Sequence, residues 1–177
     1  MSAPSSPRIL AEGRFLRLVS RDGWEFVERK GPAGVVAIVA VTDAGELLLV
    51  EQYRVPLGRP VIELPAGLVG DSAQSIGESP DRAARRELLE ETGYDSESLT
   101  VVGETPTSPG LTDGTVVFFR ANRLVRVGDP AGDGDENITL HRVPLATLEN
   151  WLAAARARGA AVDSKIYAGL HLCRLST

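Results

Sequence analysis

The sequence is poor in the groups that build disulfides and zinc centres. Cys173 is the only cysteine, so no internal disulfide can form, and a reducing compartment, the cytoplasm, is the natural setting. The two histidines, His141 and His171, lie far apart, which argues against a zinc site and leaves oxygen ligands for any metal. No apolar run approaches the roughly 20 residues of a membrane span. The opening "MSAPSSPR" carries Ser and Pro where a signal peptide needs an apolar segment, so it reads as a frayed tail and export is not expected. Positive charge is also short: 19 Lys and Arg stand against 24 Asp and Glu, a net charge of −5. That balance disfavours a sequence-independent grip on DNA or RNA, which requires phosphates to be neutralised by cations. Small-molecule partners fit better than nucleic acid or membrane.

What is present is ordinary for a globular chain, with 43% hydrophobic and 24% charged residues. A length of 177 residues suits one core with a small appendage. Around "RDG", residues 14–30 read as two antiparallel strands, because Asp-Gly between short apolar runs signals a hairpin. "GVVAIVAV", "LLLVEQY" and "PVIELPAG" read as further strands, the last ending at Gly67. "SLTVVGET", "GTVVFFRANRLV" and "ITLHRV" complete the strand set, with "GDPAGDGDEN" as an acidic, glycine-rich loop. Helices are expected over "PLATLENWLAAARARG" and "DSKIYAGLHLCRL", the second with Ile166, Leu170 and Cys173 on one face. The pattern predicts a mixed sheet flanked by helices, an α/β sandwich. Residues 1–32 form the tail and β-hairpin appendage, and residues 33–177 the main domain.

The most informative helix begins at Ser79-Pro80-Asp81, an N-cap serine, a proline at the first helical position and an acid in the first turn. It ends at Gly93, a natural C-cap. At about 100° per residue, Glu87, Glu90 and Glu91 fall within an arc of roughly 100°. Ala84 and Leu88 lie beside Glu91 on the helical wheel, so the carboxylates border the apolar face instead of opposing it. Like charges at this spacing repel, and a cation should offset them. Hard divalent ions such as Mg2+, or Mn2+ in its place, prefer such oxygens and join carboxylates to substrate phosphates. A solvated helix with local Glu–Arg pairs is the bland alternative, and the stripe alone does not decide between the two.

Its setting resembles the signature of the Nudix hydrolase family. Glu78, seven intervening residues, Arg86-Glu87-Leu88, Glu90-Glu91 and Gly93-Tyr94 match that motif in order and spacing. Tyr94 is aromatic where an aliphatic residue is usual. The motif's first glycine falls on Ser72, and with five extra loop residues Gly67 becomes its counterpart. The resemblance implies a Nudix-type α/β/α sandwich that hydrolyses a pyrophosphate with divalent cations. It implies metal binding by Glu87, Glu90, Glu91 and the Ala66 carbonyl, a catalytic share for Glu90, and a bracing role for Glu78 and Arg86.

"EQYR", "ELPAGL", "SPGLTD", "ITLHRVPL" and "SKIYAGL" extend the likeness to the branch that cleaves ADP-ribose and other nucleoside diphosphate sugars. On that resemblance Arg54, Trp24, Glu25 and Glu51 are substrate-binding candidates, Arg54 through its planar fork and Trp24 by stacking on the base. Glu136 is the candidate base for the attacking water, with Asp135 and Asp133 behind it. A homodimer that exchanges the N-terminal hairpin is implied as well. Other nucleotides remain open as substrates (an oxidised nucleotide, a dinucleoside polyphosphate or NADH), as does a non-catalytic sensor of nucleotide sugars.

Overall fold

The computed structural model describes residues 5–31, 34–70, 75–130 and 137–176. It opens with an antiparallel sheet of three strands, β1 (Arg8–Glu12), β2 (Leu16–Arg21) and β3 (Trp24–Arg29), in that spatial order. The β2–β3 hairpin turns on Asp22 and Gly23, whose φ values of 51° and 83° are the paired positive angles that favour Asp-Gly. β1 was not expected. Its sequence RILAE is exposed at four of five positions, so no apolar period announces it, and only its pairing with β2 makes it a strand.

The rest of the described chain runs β4 (Val35–Ala40), β5 (Glu46–Arg54), β6 (Arg59–Glu63), β7 (Ala66–Leu68), α1 (Pro80–Thr92), β8 (Tyr94–Pro106), β9 (Thr115–Arg126), β10 (Thr139–Pro144), α2 (Leu148–Ala157), β11 (Ala161–Val162) and α3 (Lys165–Leu175). The predicted mixed sheet is divided in two. One half has the order β7-β4-β9-β8, with β4 and β9 parallel; the other has the order β10-β5-β6-β11, with β6 and β11 parallel. "PVIELPAG", expected as one strand, supplies β6 to one half and β7 to the other. Pro65, without an N–H, interrupts the ladder, while its carbonyl accepts from the Ile38 amide of the opposite half at 2.9 Å.

Helices cover both faces, and strand alternation explains why. Val36, Ile38 and Leu48 point to α1, where they bury Ala83, Ala84 and Leu88. Val39, Leu47 and Leu49 point the other way, towards Leu152 of α2 and Ile166 of α3. Gly169 lets α3 approach closely, since a Cβ there would lie 2.7 Å from Val39 Cγ2 and 3.0 Å from Leu64 Cδ1. The ends of α1 follow the sequence: Ser79 is its extended N-cap, Pro80 starts it, and left-handed Gly93 closes it with an N–H to the Leu89 carbonyl. Tyr94 is buried in the α1 core cluster, where its ring extends the apolar contact of a smaller aliphatic residue.

Candidate active site

α1 and the strands β5 to β7 border a cleft of about 840 Å³. Glu87, Glu90 and Glu91 line it from the helix, and Glu87 and Glu91 are only 9% and 6% exposed. Glu91 Oε2 accepts the Ala66 N–H at 3.0 Å. Arg86 Nη1 donates to Glu87 Oε1 at 2.8 Å and to Glu90 Oε2 at 3.1 Å, so one nitrogen holds two carboxylates. The same guanidinium crosses to the loop, where Nη2 donates to Glu78 Oε1 at 2.8 Å and to the Leu68 carbonyl at 3.1 Å. Glu78 also accepts the Gly70 amide at 3.0 Å.

This network sets the charge states. The hydrogen bond from Arg86 holds the Glu78 carboxyl below its usual range against the opposing effect of burial, helped by the Gly70 amide. Arg86 is pushed above the ordinary guanidinium value, chiefly by the Glu78 hydrogen bond and then by Glu87 and Glu90, while burial opposes the shift. Glu78 and Arg86 thus strap the loop after β7 to the middle of α1.

Gly67 faces Glu87. An added Cβ would lie 1.9 Å from Glu87 Oε1 and 2.0 Å from its Cδ, so the carboxylate end of Glu87 holds its present place only beside a glycine. Ser72 lies outside the described residues.

The donor set suits a hard divalent cation. It is all oxygen, two of its carboxylates are buried, and a single Nη1 is shared between Glu87 and Glu90. Among the described residues, no three Asp, Glu, His or Cys side chains already converge on one point. The reason is visible, since Arg86 and the Ala66 amide draw the carboxylates in different directions.

The remaining candidates separate by strand parity. Arg54 lines the cleft and donates from Nε to Glu63 Oε2 at 2.6 Å. Glu51, three residues earlier, cannot share that face. It bonds His141 Nε2 at 2.8 Å beneath α2, where the His141 ring lies 4.9 Å from that of Trp151, tilted by 59°. Trp24 is 63% exposed and donates its indole N–H to the Gly110 carbonyl at 3.2 Å. Neither Trp24 nor its neighbour Glu25 lines the cleft of this chain. Glu136, Asp135 and Asp133 lie outside the described residues; Ile138, which follows them, does line the cleft.

Sequence reasoning missed several lining residues: Arg29 from β3, Gln52, Glu63, Arg82 and Lys165. Gln52 and Glu63 were within reach of it. Gln52 shares the parity of Arg54 on β5, and Glu63 stands in the quoted "ELPAG". Arg29 and Lys165 arrive through tertiary packing and left no local signal.

The chain belongs to the Nudix family: the NUDIX domain family model matches residues 31–168. It is 40% identical over 126 residues to an ADP-ribose pyrophosphatase of Bacillus subtilis (strain 168), a match covering 71% of this chain and 64% of that protein. It is 37% identical over 161 residues to an ADP-sugar pyrophosphatase of Mus musculus, covering 82% and 71%. The chain thus spans just under two thirds of its Bacillus relative. Its fold matches the crystal structure of an ADP compounds hydrolase with a TM-score of 0.72 at 24% identity, over 98% of this chain and 94% of that one.

Proposed function

We propose that this chain is a pyrophosphatase that hydrolyses ADP-ribose or a related nucleoside diphosphate sugar to a nucleoside monophosphate and a sugar phosphate. One observation carries the reading: a single cleft combines a glutamate face, the buried Glu87 and Glu91 with the half-exposed Glu90, with the cationic side chains Arg29, Arg54, Arg82 and Lys165. A diphosphate needs both, cations for its own charge and carboxylates for the metals that accompany it. The names of the Bacillus and mouse relatives support the substrate class.

Glu87, Glu90 and Glu91, with the Ala66 carbonyl, would hold Mg2+ or Mn2+, which when bound neutralises phosphate charge and acidifies the attacking water. The chain's own residues do the rest. Arg54 receives the diphosphate or terminal ribose through its planar fork. Glu78 and Arg86 keep the loop after β7 against α1, so the Ala66 backbone and the glutamates stay in register. Glu136, outside the described residues, is the group proposed to take the proton of the attacking water.

Residues 1–32 act as an appendage and residues 33–177 as the catalytic domain, in a cytoplasmic homodimer. The exposed Phe15 (60%) and Trp24 (63%) of the N-terminal sheet suit a contact with a second copy, through which Trp24 and Glu25 would reach a neighbouring site. A monomeric elution volume at working concentration would remove the dimer.

The test is monophosphate release from ADP-ribose, GDP-mannose, UDP-glucose, 8-oxo-dGTP and diadenosine polyphosphates, with Mg2+ and with EDTA, for the wild type and Glu91→Gln. Metal-dependent turnover of a sugar diphosphate that the variant loses supports the reading. Turnover confined to the other nucleotides shifts the substrate class, and no turnover at all favours a sensor.

A further inference from the structure

We infer that Glu63 is a positioning residue for the substrate-binding arginine, fixing where in the cleft the guanidinium of Arg54 meets the substrate. The inference rests on the hydrolase reading above and adds to it a residue that acts through Arg54.

Glu63 is a buried carboxylate, 6% exposed, at the end of β6. Its Oε2 accepts Arg54 Nε–H at 2.6 Å, a short charge-assisted bond. The register makes this contact unusual. Arg54 lies opposite Arg59 across the β5–β6 ladder, and Glu63 lies opposite Val50. The two side chains share a sheet face, as residues of equal parity on β5 do, but their backbones are not cross-strand partners. To reach Glu63 the Arg54 stem folds back along β5, over the level where Gln52 faces Val61. The guanidinium is thereby carried from the exposed β5–β6 turn to the end of β6, three residues before the Ala66 whose amide holds Glu91. Without Glu63, a long side chain that is 41% exposed would lose a charge-assisted anchor at the cleft mouth. With Glu63, the bond through Nε fixes the plane of the fork, and planar orientation is what allows an arginine two-point recognition.

Two roles for Glu63 give opposite signs. If it only neutralised Arg54, removing its charge would strengthen anion binding. If it positions Arg54, removing it weakens binding, because the fork loses its orientation. The experiment measures binding of ADP-ribose and of AMP by calorimetry in EDTA, so that no metal is needed, and KM and kcat with Mg2+. The proteins are the wild type, Glu63→Gln, Arg54→Lys and the double variant, with thermal melts as the check on folding. Positioning predicts that Glu63→Gln binds about tenfold more weakly and raises KM more than it lowers kcat. The double variant should be little worse than Arg54→Lys, since the two side chains act as one unit. Arg54→Lys keeps the charge and loses the fork, so it should show the same KM-weighted defect even if Glu63→Gln folds poorly. Unchanged or tighter binding in a folded Glu63→Gln, or additive losses in the double variant, overturns the positioning role and leaves the hydrolase reading standing. A wild type that neither binds nor cleaves a sugar diphosphate overturns both.

Discussion

Gly67→Ala is the sharpest perturbation the structure offers, because one added methyl group meets one carboxylate of the cleft. The backbone at Gly67 has no positive φ, so alanine is not excluded by conformation. What it meets is Glu87 Oε1 at 1.9 Å, Cδ at 2.0 Å and Oε2 at 2.6 Å. A Cβ contact below 3.0 Å is essentially never seen, so Oε1 must retreat from 1.9 Å to at least 3.0 Å, a shift of about 1 Å. Glu87 is 9% exposed and tied to Arg86, so its carboxylate moves only by turning into the cleft and breaking that contact. The overpacking should cost about 1–3 kcal/mol of stability. A displacement of about 1 Å at a catalytic constellation costs on the order of a hundredfold in rate, or about 2.7 kcal/mol of barrier. The assay is Mg2+-dependent turnover of the best sugar diphosphate, read beside a thermal melt. The expected result is a folded protein with kcat down about a hundredfold. Ser72→Ala, by the same reasoning, should retain wild-type turnover. A Gly67→Ala protein within about threefold of wild type, with an unchanged melt, would refute the placement of Glu87 against Gly67.

Glu78→Gln should lower the melting temperature near neutral pH, and the gap to wild type should close in acid. The Glu78 pKa is depressed below its ordinary 4.5, so its stabilisation is complete above that value and is lost as pH falls through the folded pKa. A gap that stays constant between about pH 7 and pH 3 would contradict the strap. Gly169→Ala sets a helix-propensity gain of up to about 1 kcal/mol against contacts of 2.7 Å to Val39 and 3.0 Å to Leu64. Chemical denaturation should show a net loss of about 1 kcal/mol or more, with kcat retained, whereas a more stable variant would mean that α3 lifts off the sheet.

Much of the site was legible because it is local. The start of α1 at Ser79-Pro80, its glycine stop and the shared face of Glu87, Glu90 and Glu91 depend on helical geometry within a few turns. The spacing from Glu78 to Gly93 carried the family for the same reason. Strand parity was also available in the sequence, and it separates Glu51 from Arg54 before any coordinates are seen. Other features needed the fold. β1 and β11 are strands only by virtue of their partners, and the break at Leu64-Pro65 becomes a change of sheet only because Ile38 waits for the Pro65 carbonyl. Arg29 and Lys165, from opposite ends of the chain, join the cleft through packing that no local pattern encodes. The sequence by itself therefore determined which carboxylates stand together, since neighbours on one helix are fixed by its pitch. The tertiary structure alone decided which cations face them, since that depends on strands and helices distant in the chain meeting around one cleft.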